Sequence, residues 1–304
     1  MKKLLILIFS ILSTVFIASF ELNASSDEII GYTLNSEREE GFLYKSDLHL
    51  PSKNYTESFM NFDENIQNQF KENNNRIIIE DDDRRELYDY EYTIAPYRSI
   101  CKIVISFNEE PGISHQGTGF LVGPHTILTA CHVVYDINSL HDYGFFDTIS
   151  ITFGSHIDSY TEQIVNPYGE ITTYSLVTCG NYKNTLLRGD DWALIDLNTE
   201  IGLTLGYFGT TTVLSEGSGL YLAGYSNDHY GNMAVSYGEV YNLDNTTFDH
   251  DCDLESGASG SPIIRTFYDY VCGIESGHTS TLNSACRITS NLVSLIEDRI
   301  EDDD

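Results

Sequence analysis

The sequence predicts an all-β protein that ends in a single α-helix. From residue 97 onward, short runs of apolar and β-branched residues follow one another, separated by glycine, asparagine and aspartate. The stretch "DTISITFGS", residues 147–155, alternates apolar and polar side chains as a half-buried strand does. No helical pattern interrupts the series, so a sandwich or a barrel is expected.

The predicted strands occur in a fixed order, and the final segment changes its period. Leu292, Leu295, Ile296 and Ile300 recur at helical spacing, and Thr289 or Ser290 can cap the start of that helix. The runs that predict strands are "SICKIVISF", "GTGFLV", "TILTACHVV", "DTISITFGS", "ITTYSLVTC", "WALIDL", "GLYLAGY", "MAVSYGEVYNL", "SPIIRTF" and "YVCGIES".

The first 95 residues have a different composition. Residues 1–20 place two lysines before a short apolar run, which predicts a signal peptide rather than a membrane span, and hence a secreted, extracellular protein. Residues 21–95 lack cysteine and are rich in Asn, Asp and Glu, as in a solvated segment. Arg84 and Arg85 form a dibasic pair that we expect to be exposed. We therefore interpret 21–95 as an acidic propeptide cleaved after Arg85 or a little later; the alternative is an extension that stays attached.

Charge and cysteine content restrict the possible partners. The formal net charge of -30 and pI near 4.3 argue against nucleic acid and anionic membranes. Six cysteines, all after residue 100, predict up to three disulfides in an oxidising compartment, with fifteen possible pairings. A zinc site is the competing interpretation, but no CxxC pair is present. No metal or other cofactor is expected.

One glycine-rich loop suggests nucleophilic chemistry. In "ESGASGSPII", residues 255–264, Ser259 needs a histidine to take its proton and a carboxylate to orient that histidine. His132 ends the apolar run "TILTACHVV". In "GDDWALIDL", Asp191 adjoins the apolar run directly, so it is a better candidate than Asp190 for an inward carboxylate.

These three motifs, in the order His, Asp, Ser, resemble the chymotrypsin-like serine peptidases. The resemblance is closest to the glutamyl endopeptidase (V8-like) branch, through "TACHVV", "DDWALIDL" and "GASGSP". It covers roughly residues 95–300 and implies two packed six-stranded antiparallel β-barrels, a trypsin-like fold. The first barrel, 96–202, would hold the histidine and the aspartate. The second, 203–304, would hold the serine and the C-terminal helix.

The resemblance also implies a role for each residue. Ser259 would attack the peptide carbonyl, His132 would act as base and then acid, and Asp191 would orient His132. The N–H groups of Gly257 and Ser259 would form the oxyanion hole, and Ser276 in "GIESG" would lie near the aspartate. The expected partners are polypeptide substrates, and the protein is expected to be a monomer.

The sequence departs from the family in places that affect activation and specificity. Ala258 occupies the position where trypsin-type enzymes carry an aspartate for the new N-terminus, so that salt bridge cannot form. Cys131 precedes His132, and we expect it in a disulfide. Glu275 stands where glutamyl endopeptidases carry a histidine, and Asp253 lies six residues before Ser259.

Both acidic residues suggest a substrate pocket for a basic P1 residue, Arg or Lys. His278 is a further candidate for the pocket lining, and the alternative for Asp253 is a structural role. The sequence thus predicts a secreted serine endopeptidase that works through an acyl-enzyme and is made as a proenzyme. The alternative is an inactive homologue that serves as a secreted binding module, against which the complete triad argues.

Overall fold

The computed structural model of the chain describes residues 29–33, 40–41, 78–79, 81–136, 143–171, 173–229, 231–266 and 270–301. The predicted signal peptide, residues 1–20, lies outside the described residues, as does most of the segment from 21 to 77.

The described part contains twenty strands, four α-helices and four 3-10 helices, the latter at Asp89–Thr93, Tyr97–Ser99, Arg188–Asp190 and Asn227–His229. The α-helices are α1 (Cys131–Val134), α2 (Gly180–Thr185), α3 (Ile201–Leu205) and α4 (Ser290–Glu301). The strands are β1 (Ile29–Thr33), β2 (Glu40–Gly41), β3 (Arg85–Glu86), β4 (Ile100–Ser106), β5 (His115–Leu121), β6 (Thr126–Thr129), β7 (Tyr135–Asp136), β8 (Gly144–Phe145), β9 (Thr148–Phe153), β10 (His156–Ile157), β11 (Ile164–Val165), β12 (Glu170–Ile171), β13 (Thr173–Cys179), β14 (Ala193–Leu197), β15 (Gly219–Tyr225), β16 (Met233–Tyr241), β17 (Thr247–His250), β18 (Pro262–Arg265), β19 (Val271–His278) and β20 (Asn283–Arg287).

The first half of the fold is a nine-stranded antiparallel sheet. Its order is β12-β9-β4-β5-β6-β14-β13-β1-β2. The central strand β14 is buried along its whole length because "ALIDL" packs on both faces. In β9 the alternation predicted from "DTISITF" appears as buried Ile149 and Ile151 between less buried neighbours.

The second half is a closed barrel. Its strands run β15-β18-β19-β20-β17-β16, and pairing between β15 and β16 closes the ring. One hydrophobic cluster spans both halves, and a second one lies inside this barrel. The predicted all-β fold is confirmed, but among the described residues only the second of the two predicted six-stranded barrels is closed; the first half is an open, half-barrel sheet of nine strands.

The C-terminal helix α4 packs back onto the first sheet. Leu292 and Ile296 are buried, as the helical spacing predicts. The Arg299 Nε donates to Asp196 Oδ1 on β14 at 3.1 Å. The predicted amphipathic helix is therefore confirmed, and it packs against the first sheet.

Short pieces of the N-terminal extension add strands to both sheets. β1 pairs with β13, and β3 pairs with β16, with Glu86 opposite Ala234. The expectation of an exposed dibasic pair is wrong for Arg84, whose side chain is 3% exposed and bonded to Asp82 and Asp228. Cleavage after Arg85 stays a prediction.

Within the described ranges, no helix combines the length and apolar character needed to cross a bilayer.

Candidate active site

Ser259 lies in the loop that connects β17 to β18. Glycines flank the loop on each side of it, and Gly257 and Gly260 have φ of +95° and +80°, values that side chains rarely permit. Ser259 itself is 7% exposed. The "GASGSP" stretch therefore folds into a tight loop that carries a nearly buried hydroxyl at its tip.

His132 reaches this hydroxyl from the first sheet. The chain leaves β6, passes Ala130 in an extended conformation, and enters the one-turn helix α1, which contains His132. His132 Nε2 lies 2.6 Å from Ser259 Oγ. The two residues are 127 positions apart in the sequence, so the packing of the two halves brings them together.

Asp191 completes the chain of hydrogen bonds. It follows a 3-10 turn, Arg188–Asp190, directly before β14, and is 1% exposed. Its Oδ2 lies 2.7 Å from His132 Nδ1, and its Oδ1 accepts the His132 backbone N–H at 3.0 Å. Ser276 Oγ donates to the same Oδ2 at 2.5 Å. Asp190 is less buried than Asp191, and its carbonyl accepts the Trp192 N–H.

The environment of Asp191 keeps it ionised. Burial alone would raise the pKa of its carboxyl, but the charge of His132 and the hydrogen bonds from His132 and Ser276 outweigh burial and lower that pKa. An ionised Asp191 accepts the Nδ1–H of His132, which leaves Nε2 to accept the proton of Ser259. The arrangement can therefore make the serine a nucleophile.

Contacts from the first sheet fix the loop that carries Ser259. Thr118 on β5 donates its N–H to the Ser259 carbonyl at 2.7 Å and its hydroxyl to the Gly257 carbonyl at 3.0 Å. A Cβ on Gly257 would lie 2.7 Å from the Tyr225 carbonyl and 2.7 Å from Gln116 Nε2. Only glycine fits this turn, as a predicted oxyanion-hole residue requires.

Glu275 faces inward and has a basic partner. Its Oε2 lies 2.9 Å from His250 Nε2, and both side chains are 0% exposed. Its backbone bonds to the nucleophile loop, because Gly260 N–H donates to the Glu275 carbonyl and Glu275 N–H donates to the Ser261 carbonyl. His278 lies at the end of the same strand, partly exposed, with Nδ1 2.8 Å from the Thr279 carbonyl.

Asp253 binds backbone amides from the N-terminal extension. The N–H groups of Ile79 and Asp83 donate to its two carboxylate oxygens at 2.6 and 3.1 Å. The side chain is almost fully buried, and burial raises the pKa of its carboxyl despite these two bonds. In the full chain, both acidic candidates for the substrate pocket thus have partners inside the protein.

All six cysteine thiols, including Cys131 beside His132, are buried. None of them is disulfide-bonded in the structure, so the disulfide pairing remains a prediction. Burial, with the nearby charge of Asp191, raises the pKa of the Cys131 thiol well above its usual value. A thiol that stays protonated does not compete with Ser259 as the proton donor to His132. No group of three or more His, Cys, Asp and Glu side chains in the described ranges is placed to hold a metal ion.

Comparison with protein families gives this arrangement a context. Residues 117–274 match the model of the trypsin-like peptidase domain, and this segment carries all three residues of the hydrogen-bonded chain. The chain belongs to this family. The resemblance drawn from the sequence motifs is therefore confirmed.

The individual relatives are named as proteases, and one of them is a glutamyl endopeptidase. The chain is 31% identical over 202 residues to "Glutamyl endopeptidase" of Bacillus licheniformis, covering 62% of this chain and 55% of that protein. It is 28% identical over 217 residues to "Extracellular metalloprotease" of Bacillus subtilis, covering 67% of this chain and 64% of that protein. A solved structure of Glu endopeptidase in complex with MPD superposes with a TM-score of 0.63 at 25% identity, over 74% of this chain and all of that one. The chain thus spans between about half and two thirds of the curated relatives' length.

Sequence reasoning missed two residues that shape the site. Thr118 holds the Ser259 loop from the opposite sheet, and His250 Nε2 contacts the buried carboxylate of Glu275. Thr118 belongs to "GTGFLV", which supports the family resemblance but gives no sign of a polar contact. His250 ends a short strand and has no recognisable motif.

Proposed function

We propose that the protein is a serine endopeptidase in which Ser259, His132 and Asp191 form the catalytic triad. The observation that carries the proposal is the continuous set of contacts from Asp191 through His132 to Ser259 Oγ, at 2.7 and 2.6 Å. No other acceptor would be needed to remove the hydroxyl proton during attack on a peptide carbonyl.

The reaction follows the general scheme of acyl transfer. Ser259 Oγ attacks the carbonyl carbon while His132 Nε2 takes its proton, and the oxyanion forms near the N–H groups of Gly257 and Ser259. His132 then donates the proton to the leaving amine, and an acyl-enzyme remains on Ser259. His132 then takes a proton from water as the water attacks this ester, and returns it to Ser259 Oγ as the ester C–O bond breaks, which releases the acid product and the free serine.

Extracellular action, synthesis as a proenzyme and polypeptide substrates belong to the same proposal. The apolar segment at residues 4–20 and the name of the Bacillus subtilis relative support export. The preference for a basic P1 residue stays a prediction, since Glu275 contacts His250 and Asp253 contacts the extension in the full chain.

A cleavage profile tests the proposal. Purified protein, with and without mild trypsin treatment, is incubated with a mixed peptide library beside the Ser259→Ala variant, and the products are sequenced. We expect cuts that depend on Ser259. Cuts after Arg or Lys would support the acidic pocket, and cuts after Glu would support the activity named for the 31% identical relative. Absence of cuts in both treatments would favour the inactive binding homologue.

A further inference from the structure

The N-terminal extension contacts the second barrel through a short segment, which we call the strap (Ile79 and residues 81–87). Its strand β3 lengthens the sheet at β16, and Leu87 N–H donates to the Met233 carbonyl at 3.0 Å. Leu87 is buried in the core. The strap is therefore part of the folded domain, although it belongs to the stretch that the composition assigns to a propeptide.

The strap makes a first set of polar contacts to the loop between β15 and β16. Arg84 donates two hydrogen bonds to the Asp228 carboxylate, at 3.1 and 2.6 Å. Burial would lower the pKa of the Arg84 guanidinium, but the carboxylates of Asp82 and Asp228 outweigh burial and raise it. Asn232 Nδ2 donates to Glu86 Oε1 at 2.5 Å, which ties the other end of the loop.

A second set of contacts reaches the loop that precedes Ser259. The Asp253 carboxylate accepts the N–H groups of Ile79 and Asp83. Ser236 connects the two acids, because its hydroxyl accepts the Asp253 N–H at 2.7 Å and donates to Asp83 Oδ1 at 3.2 Å. A buried carboxylate in this position needs such donors, since an unsatisfied one would be costly.

The two loops that the strap holds meet at the proposed oxyanion hole. Asn227 N–H donates to the Ser256 carbonyl at 2.8 Å. The Asn227 side chain also bounds the space beside Gly257, since a Cβ there would lie 2.9 Å from Asn227 Oδ1. Two loops therefore connect Gly257 to the strap. One is the β15–β16 loop, through Asp228, and the other is the loop before Ser259, through Asp253.

Ala258 precedes the nucleophile, at the position where trypsin-type enzymes carry an aspartate. It is 1% exposed and apolar, so the residue before the nucleophile offers no carboxylate to a new N-terminal ammonium group. A salt bridge from a new N-terminus therefore cannot hold the loop around Gly257, whereas the strap contacts can.

We propose that the strap positions residues 254–258, which we call the oxyanion loop, and that Asp253 and Asp228 are the two residues that anchor the strap. This inference rests on the proposed function for its kinetic consequence, but not for its structural one. It assigns Asp253 a positioning role in place of the substrate-binding role that its spacing from Ser259 predicts. It also places the boundary of any removable segment before Ile79, not after Arg85.

The test compares Asp253→Asn and Asp228→Asn with Asp251→Asn in the full chain. Asp251 lies two residues from Asp253 and accepts bonds from Glu239 N–H and Tyr241 OH, not from the strap, so its variant is the matched control. The readouts are amide hydrogen exchange of residues 254–258, and kcat, KM and the P1 profile on peptides. Asp228→Glu serves as the conservative rescue variant, and Asp228, at the more exposed end, carries the test if Asp253→Asn does not fold.

We expect the two anchor variants to speed exchange of residues 254–258 by about tenfold or more. Their kcat should fall by about tenfold to a hundredfold with KM and the P1 profile little changed, since a displaced oxyanion donor weakens only the transition state. Unchanged exchange and kcat would overturn the proposal, and so would an altered P1 profile at full kcat, which indicates a pocket role. If the wild-type protein cleaves nothing, the proposed function fails, and the exchange data alone still support or overturn the strap.

Discussion

Asp191 and Asp253 are both buried carboxylates near Ser259, and different kinds of partner hold them. Asp191 contacts two side chains that can share protons, His132 and Ser276. Asp253 contacts backbone amides of the strap and lies near the Asp83 carboxyl. The pKa of Asp191 is lowered, whereas burial raises that of Asp253.

This difference separates two ways of supporting one reaction. In the proposed mechanism Asp191 acts through charge, because a fixed anion would orient His132 and stabilise its cation. Asp253 acts through shape, because its carboxylate joins two backbone segments and so holds the loop that carries Gly257. Substitutions at the two positions should therefore fail in different ways.

The largest effect is expected at Asp191. Asp191→Asn should lower kcat by about 10⁴-fold, because the amide favours the wrong tautomer of His132. The matched control is Asp190→Asn, which alters the neighbouring acid without touching His132. Steady-state kinetics on one peptide substrate measures both, and a loss of equal size in the control would remove the charge-based role of Asp191.

Gly257→Ala tests the shape-based side of the comparison. The new Cβ would collide with the Tyr225 carbonyl, and the backbone at φ +95° is strained for alanine. We expect kcat to fall by about 10²–10³-fold, the range for loss of one oxyanion donor. Gly112→Ala is the control, since Gly112 has φ +86° and nothing within 4 Å of its Cβ position. Full kcat in Gly257→Ala would show that this peptide does not shape the oxyanion site.

Proteolysis distinguishes a strap from a propeptide terminus. In the Ser259→Ala background, trypsin should leave the bonds after Arg84 and Arg85 intact, because Arg84 is held by Asp228 and Arg85 lies in β3. Asp228→Asn should make these bonds at least about tenfold more susceptible by favouring local opening. N-terminal sequencing follows the cuts, and rapid cleavage after Arg85 in the parent protein would contradict the strap.

The smallest effect concerns the pH dependence of stability. The folded pKa of Asp191 is lowered from 3.8, so its stabilising contribution exists above 3.8 and is lost as pH falls through the folded pKa. The folded pKa of Asp253 is raised from 3.8, so its contribution is present below 3.8 and is lost as pH rises through the folded pKa. The two carboxylates should therefore show opposite pH trends.

Urea unfolding of Ser259→Ala proteins across the acidic range measures these trends. The free energy of unfolding of the parent minus that of Asp253→Asn should increase as pH falls from neutral toward 3.8. The corresponding difference for Asp191→Asn should decrease once pH falls below 3.8. If both differences change in the same direction as pH falls, the claim that the pKa of Asp191 is lowered and that of Asp253 is raised is refuted.

The sequence predicted that His132, Asp191 and Ser259 come together, and missed the contacts of the strap, for one physical reason. His132, Asp191 and Ser259 carry their chemistry in side chains, and each adjoins an apolar run or a glycine loop that can be read locally. The strap binds Asp253 through backbone amides, which every residue except proline has, at sequence separations of 174 and 170 residues. No local pattern encodes such a contact.

The same reason applies to the rest of the fold. Alternation and apolar runs predicted β9, β14 and α4, whereas β1 and β3 form because edges of β13 and β16 accept short segments of weak pattern. The charge of Glu275 suggested a pocket residue, but its partner His250 lies 25 residues away on another strand and only the folded chain brings them together.

The measurement that tests the central claim most directly is covalent labelling by an organophosphonate, read by intact mass and peptide mapping. The proposed function predicts one adduct, on Ser259, absent from Ser259→Ala and strongly slowed in Asp191→Asn but not in Asp190→Asn. Failure of the parent protein to label, or peptide cleavage that survives in Ser259→Ala, would contradict the assignment of Ser259 as the nucleophile.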